Sequence, residues 1–322
     1  MWALVLYLPR YCLLNSQRSN RSKLIAMTID PKDISTQQLH GLLLGTIGPR
    51  PIAFASTVDA EGRVNLSPYS FFNVFSSNPP TLIFSPARRV RDNTLKHTLE
   101  NAMATKEVVI NVVNHAIVEQ MSLSSTEYDR GVNEFVKAGL TGVPSERVKP
   151  PRVAESPAAY ECKVKEVIHL GQEGGAGNLV LCEVVLAHFS DDILDANGKP
   201  DPFKTDLVGR MGGDWYCRAN GEALFTLPKP NREKGIGVDQ IPESIRNSMV
   251  LTGNNLGRLG NIAKLPSSEE IFEFGQRPEI QEQLLRFRND RESLEYHLHK
   301  YAQELLNDNQ VQQAWLTLLQ AV

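Results

Sequence analysis

The chain has 322 residues, 41% of them apolar and 22% charged, which is ordinary for a globular protein and enough to bury a real core. Its formal net charge of −3 excludes a whole-molecule field that draws in nucleic acid or an anionic membrane, so a basic site must be local. Its four cysteines, Cys12, Cys162, Cys182 and Cys217, form no C-x-x-C pair, which removes sequence support for a zinc knuckle or a redox dithiol.

Residues 1–29 hold no Asp or Glu before Asp30 but carry Arg10, Arg18, Arg21 and Lys23 behind an apolar run from Trp2 to Leu8. That run is too short to span a bilayer, and the charges follow it where a secretory signal has them first. The segment reads as an N-terminal extension. It is either a weak transit peptide or translated leader ahead of a start at Met27, and the expected location is cytoplasmic unless residues 1–26 target an organelle.

From residue 30 to 230 the pattern is strands with a few helices. Ile34–Leu44 reads as a short helix, stopped by Gly45, Gly48, Pro49 and Pro51. Ile52–Val58 is β-prone, Asp59–Gly62 is a turn, and Arg63–Ser70 resumes extended structure, a hairpin signal. Asn78-Pro79-Pro80 breaks the chain before a short strand, Thr81–Ser85. Leu95–Ala104 reads as a helix, Glu107–Asn114 as a strand, Ala116–Leu123 as a helix and the Pro-rich stretch 144–157 as a surface loop. Tyr160–Leu170 is a strand, and Asn178–Phe189, nearly all apolar, reads as a strand buried on both faces. Many strands at close spacing, with no βαβ rhythm, predict a mainly β domain: an antiparallel barrel with helical additions.

Beyond Pro230 the character changes. Residues 231–265 read as loop, with five glycines, and from Pro278 the chain turns helical. Phe287, Leu294, Leu298, Tyr301 and Leu305 form one apolar stripe, and Val311, Trp315, Leu318 and Leu319 continue in a second helix. The segment 231–322 is therefore expected to be a loop plus a helical extension. It would pack on the barrel or on a partner subunit.

Several motifs carry nothing. The glycine-rich run 171–178 precedes a strand, where a dinucleotide-binding loop precedes a helix, so it reads as a hairpin loop. Thr252–Gly260 lacks the Lys-Ser/Thr of a P-loop. His297 and His299 are two apart on a helix and diverge, and His40, His115, His169 and His188 are scattered, so no metal site is expected. No serine sits in G-x-S-x-G.

What remains lies between residues 50 and 98. Arg50-Pro51 leads into a strand ending Ser56-Thr57; the next reads Asn65-Leu-Ser67-Pro-Tyr69-Ser70-Phe-Phe-Asn73; a third ends Ser85-Pro86. Arg88, Arg89 and Arg91 follow, and Lys96-His97-Thr98 opens a helix. Hydroxyls and amides at strand ends, rings between them and a basic helix start are the set that a flat heterocycle with a phosphate tail needs, because a helix N-terminus supplies both dipole and free N–H groups. The same residues also fit a solvated basic turn beside ordinary strand hydroxyls.

Three blocks, Pro49–Thr57, Asn65–Phe72 and Lys96–Asn101, resemble in order and spacing those of the flavin-reductase-like proteins. Gly131–Phe135, Ala138–Thr141, Val148–Pro157 and Arg210–Tyr216 extend the resemblance over about residues 30–227. It implies an FMN-binding split barrel, a homodimer with flavin near the subunit interface, and a phosphate held at Lys96 and Thr98. Ser56, Thr57, Asn65, Ser67, Ser70 and Ser85 would line the flavin and its ribityl chain, with Arg88 beside them. One departure is His97, where the family commonly has Asp. The implied activity passes a hydride from NAD(P)H to the flavin and on to a small acceptor or partner. Hydride transfer belongs to the cofactor, so no catalytic residue is assigned. Arg210, Trp215 and Tyr216 are candidates for shaping the open flavin face towards the nicotinamide. A flavin-binding electron carrier without its own nicotinamide site is the alternative, and an enzyme resembling pyridoxamine-phosphate oxidases is a more distant one. Neither nucleic acid nor membrane is expected as a partner.

Overall fold

The computed structural model describes residues 27–227 and 234–322. They form two compact units that divide between Phe225 and Thr226. The expectations for residues 1–26, and for Cys12 with them, lie outside the described residues.

The first unit opens with helix α1, Thr36–Thr46, two residues longer at its end than the sequence predicts. Ser35 and Gln38 close a reciprocal capping box at its start. The strands follow as β1 (Ala53–Val58), β2 (Val64–Tyr69), β3 (Phe72–Ser77), β4 (Pro80–Phe84) and, after helix α2 (His97–Thr105), β5 (Glu107–Val112). Helices α3 (Val118–Leu123) and α4 (Glu134–Ala138), and a small ladder of β6 (Gly142–Val143) with β7 (Arg152–Val153), precede the two long strands β8 (Ala158–His169) and β9 (Asn178–Phe189). A short helix α5 (Pro202–Thr205) leads into a ribbon of β10 (Leu207–Arg210) and β11 (Tyr216–Ala219).

One seven-stranded sheet runs in the order β2-β1-β5-β8-β9-β4-β3, and every pair in it is antiparallel. The extended segment expected over Arg63–Ser70 is β2, but the run Asn65–Asn73, read as one strand, breaks at Ser70-Phe71 into β2 and β3, which lie at opposite edges of the sheet. Laid flat, six interstrand gaps would separate those edges by roughly 29 Å. The three Cα steps from Tyr69 to Phe72 reach only about 11 Å. The sheet must therefore curl until its two edges meet at Ser70-Phe71, without ladder hydrogen bonds joining them. That is a split barrel.

Two cores lie on the two faces of β1, as its period of two requires. Ala53 and Ala55 pack with Phe84, Ile110, Cys162, Val180 and Cys182 and with Leu99 and Ala102 of α2. Phe54 packs with Leu66, Ile117, Met121 and Phe135. Asn178, Val180 and Cys182 of β9 are buried, but the strand becomes exposed on alternate residues from Val185 onward. It is thus covered on one face only, against the expectation of two, because its far end runs out past the core.

The glycine-rich run is the β8–β9 hairpin loop, and its glycines serve close approach. A Cβ at Gly177 would meet Ser85 Oγ at 2.8 Å, and one at Gly174 would meet the Val90 carbonyl oxygen at 2.9 Å.

The second unit is helical: α6 (Glu243–Arg246), α7 (Gly253–Leu259), α8 (Ser268–Gly275), α9 (Pro278–Arg286), α10 (Arg291–Asn307) and α11 (Val311–Leu318). Residues 252–260, read from sequence as loop, are α7 capped by a Thr252–Asn255 box, so its glycines are helical rather than hinge residues. The predicted apolar stripe is interrupted between α9 and α10 and is covered inside this unit. Leu305, Leu306, Trp315 and Leu318 pack against Ile241, Ile245, Leu251 and Leu259, and Trp315 Nε1 donates to the Leu259 carbonyl at 3.0 Å. The stripe therefore needs no partner subunit to shield it.

Candidate functional site

Helix α2 docks on the barrel through two buried polar bonds. Asn65 Nδ2 on β2 donates to Thr98 Oγ1 at 2.7 Å, and Asn101 Nδ2 on α2 donates to Thr57 Oγ1 on β1 at 3.2 Å. Four predicted residues or their partners are thus spent on placing the start of α2. Thr98 is nearly fully buried. Lys96 is the N-cap residue of α2, and no side chain caps that end. The first N–H groups of an α-helix lack intrahelical acceptors, and the positive end of the helix dipole lies with them.

In front of α2 lies an open cleft of about 540 Å³. Its lining includes Ser67, Ser70, Ser85, Arg88, Lys96 and Glu127. A second cleft of about 400 Å³ shares Ser70, Phe71 and Ser85 with it and runs on to Arg50, Phe72 and Asn73. The fold therefore brings five of the predicted residues, Ser67, Ser70, Ser85, Arg88 and Lys96, to one cleft. Asn65, Thr57 and Thr98 stand behind it. Ser56 lies on the Phe54 face of β1, fully buried, and its Oγ has no hydrogen-bond partner.

The basic turn is organised rather than loose. Arg88 Nε donates to Asn93 Oδ1 at 2.6 Å, and Nη2 to the Asn93 carbonyl at 2.9 Å. It holds Asn93 in a left-handed conformation with φ of 57°. The turn leans on the glycine hairpin through Arg88 N–H to the Ala176 carbonyl at 2.9 Å. Ser85 Oγ accepts the Asn178 N–H at 3.1 Å. Arg88 is thereby committed to the turn, whereas Arg89, Arg91 and Lys96 all reach one carboxylate. Glu127 Oε1 takes Lys96 Nζ at 2.9 Å and Arg89 Nε at 3.0 Å, and Oε2 takes Arg91 Nη2 at 2.5 Å. The bonds from Lys96 and then Arg89 pull the Glu127 carboxyl down to about 2. His97 is pushed below the ordinary histidine value by burial first and by Arg130 second, so the ring is neutral at neutral pH and adds no charge to the cluster.

Glu127 is the residue that sequence reasoning missed. It sits in the loop after α3, thirty-one residues from Lys96, with no motif around it to mark it. The basic turn itself, with three arginines in four positions, was the one legible sign that an anion belongs nearby.

Arg210 and Tyr216 are not in the lining of either cleft. The Arg210 guanidinium stands 4.6 Å above the Tyr216 ring, and its Nη1 donates to the Trp215 carbonyl at 3.2 Å. Trp215 itself is exposed. The ribbon is nonetheless tied to the second cleft, because the backbones of Arg50 and Arg210 exchange hydrogen bonds of 3.0 and 2.8 Å. Arg50 in turn donates from Nη2 to the Met211 carbonyl at 2.8 Å and from Nη1 to the carbonyls of Leu44 and Ile47.

Cys162 and Cys182 are buried, and burial raises both thiols. Among the described residues no group of three or more His, Cys, Asp or Glu converges in a metal-binding arrangement. No described helix is long and apolar enough to cross a membrane.

Comparison with known proteins agrees with this architecture. The model of the flavin reductase like domain matches residues 46–203. An uncharacterized protein of Aquifex aeolicus is 39% identical over 196 residues, covering 61% of this chain and 97% of its own. A second, from Halalkalibacterium halodurans, is 38% identical over 213 residues, 64% of this chain and all of the relative. Among solved structures, nitrilotriacetate monooxygenase component B of Bacillus cereus superposes with a TM-score of 0.58 at 29% identity, over 62% of this chain and 98% of that one. The 2-nitrobenzoate 2-nitroreductase of Pseudomonas fluorescens gives 0.55 at 28% identity over 65% and 100%. A Shewanella frigidimarina protein with a split barrel domain gives 0.53 at 29% over 63% and 99%. A split barrel with an uncapped helix start and a basic turn at one cleft, and relatives matched over nearly their whole length, lead to one conclusion: the chain belongs to the flavin reductase-like family.

Proposed function

We propose that the cleft in front of α2 holds FMN and that the protein passes a hydride from NAD(P)H to that flavin and on to a small acceptor or partner. The observation that carries the reading is the convergence of Arg89, Arg91 and Lys96 beside an uncapped helix start. That is the donor set a phosphate monoester dianion requires. The residues fit the cofactor in one further respect. Ser67, Ser70 and Ser85 give the cleft hydroxyls between the phosphate end and the aromatic wall of Phe71 and Phe72. Ser56, expected from sequence to line the flavin, is buried on the opposite face of β1 and lines neither cleft.

A bound flavin supplies the hydride-accepting ring, and no general acid or base is demanded of the protein. The work of the chain is then to hold. Lys96 and Arg89 supply charge; Thr98, Asn65 and Asn101 fix α2; and the serines border the ring and ribityl chain. Arg210 and Tyr216 are the pair proposed to meet the nicotinamide, on the strength of their link through Arg50 to the second cleft. The names of two structural neighbours, a monooxygenase component and a nitroreductase, fit redox chemistry of this kind.

A homodimer belongs to the same proposal. The edge strand β3 presents Val74 and Phe75, each more than 60% exposed, beside Phe71. An apolar edge of that kind asks for cover. A monomer mass in light scattering would remove this part of the reading.

The test of the main reading is an FMN titration followed by steady-state NAD(P)H oxidation. Saturable binding at micromolar FMN and flavin-dependent NAD(P)H consumption are expected. Binding without consumption would leave a flavin-carrying electron-transfer protein, and no saturable binding would refute the proposal.

A further inference from the structure

Glu127 is the common partner of three cations that come from two other places in the chain, the turn 89–91 and the start of α2. Its two oxygens take one bond each from Lys96, Arg89 and Arg91, and it lines the same cleft as Lys96 and the serines. Arg91 has a second partner in Asp92 at 3.1 Å, and Arg89 also donates to Thr94 Oγ1 at 3.0 Å, but Lys96 has Glu127 as its ion-pair partner among the described residues. A phosphate monoester needs the same donors from the same side. It carries nearly twice the charge of a carboxylate and three terminal oxygens instead of two. Two anions cannot share those donors, because at a separation of a few ångströms their repulsion cancels the gain.

We propose that Glu127 is an internal competitor for the flavin phosphate: its carboxylate takes the Arg89, Arg91 and Lys96 donors, must turn away for the phosphate to take them, and so sets how tightly and how long the flavin is held. The inference rests on the FMN reading of the cleft. Glu127 is suited to the exchange. It lies in the loop between α3 and α4, its side chain is 35% exposed, and water is at hand to receive the displaced carboxylate. The opposite role is that Glu127 holds the three cations in position for the phosphate. The two roles predict effects of opposite sign on FMN affinity.

The experiment compares the full-length chain with Glu127→Gln, which keeps size and one acceptor oxygen and removes the charge, and with Glu127→Ala as a second variant. FMN and riboflavin affinities, the FMN dissociation rate and the thermal midpoint are measured for each, with inorganic phosphate as a competitor of FMN. The competitor role predicts FMN binding about three- to tenfold tighter in both variants, which is the release of partly exposed ion pairs. Slower FMN release, unchanged riboflavin affinity and displacement of FMN by less phosphate are expected with it. Weaker or unchanged FMN binding in folded variants overturns the inference. If the unsubstituted chain binds FMN no better than riboflavin and phosphate does not compete, the phosphate site itself is refuted, and the inference falls with it for that separate reason.

Discussion

At the scale of single residues, the site divides into side chains that build and side chains that remain available. Asn65, Thr57, Asn101 and Arg88 have their polar atoms committed to neighbours, and substitution there is expected to damage the fold before it touches a ligand. Lys96 is different. It is about one third exposed, and among the described residues its charge pairs with Glu127. If it holds the FMN phosphate, Lys96→Ala should weaken FMN about tenfold and leave riboflavin, which has no phosphate, nearly unchanged. The loss is at the lower end for a charge-assisted bond because Arg89 and Arg91 share the load. Thr98→Ala, expected from sequence to act on the phosphate, should instead cost stability because Asn65 Nδ2 loses its acceptor, and should weaken both flavins alike. Equal losses for the two flavins, measured by fluorescence titration, would assign Lys96 to the fold.

At the scale of elements, the docking of α4 on β2 offers a test by pH. Glu134, at the first position of α4, is buried and accepts the Leu66 N–H at 2.9 Å. Burial raises its pKa against the smaller opposing pull of that bond. A carboxyl raised in the folded state binds its proton more readily there than in the unfolded chain. Its contribution is therefore fully present below the unfolded value, near 4.5, and is lost as pH rises through the folded value. Glu134→Gln cannot titrate and still offers an acceptor to Leu66. At pH 7 it should match or exceed the unsubstituted chain by up to about 1 kcal/mol, and the difference should vanish by pH 4. Denaturant unfolding at the two pH values measures this, and a variant clearly less stable at pH 7 would show that the charged form is needed. The other instructive element is the β2–β3 join. The run from Asn65 to Asn73 carries no strong breaker beyond Pro68, so local pattern reads one strand. The corner at Ser70-Phe71 exists because β2 pairs with β1 while β3 pairs with β4.

At the scale of the whole molecule, each unit carries its own core. The barrel clusters draw on residues 52–208, and the helical cluster on residues 236–319. A chain of residues 27–227 is accordingly expected to fold with one cooperative transition and to bind FMN within about twofold of the full chain. Loss of the transition in calorimetry would show that the barrel depends on the rest of the protein. The covered helical stripe bears on assembly as well. With Leu305, Trp315 and Leu318 buried inside their own unit, the surface proposed for association moves to the β3 edge.

Periodicity and turn chemistry by themselves determined most elements of the barrel, the hairpin nature of the glycine run and the basic turn, because each is a property of residues close in sequence, while the family was legible only through the resemblance of its motif blocks. Only the tertiary structure decided which hydroxyls reach the cleft and which are spent behind it, since Ser67 and Thr98 look alike in the chain and differ only in what packs against them. It also turned residues 252–260 from loop to helix, through a cap whose two residues read as ordinary loop polars. The partner of the three cations was likewise invisible, because Glu127 reaches Lys96 across thirty-one positions and no local pattern encodes that distance.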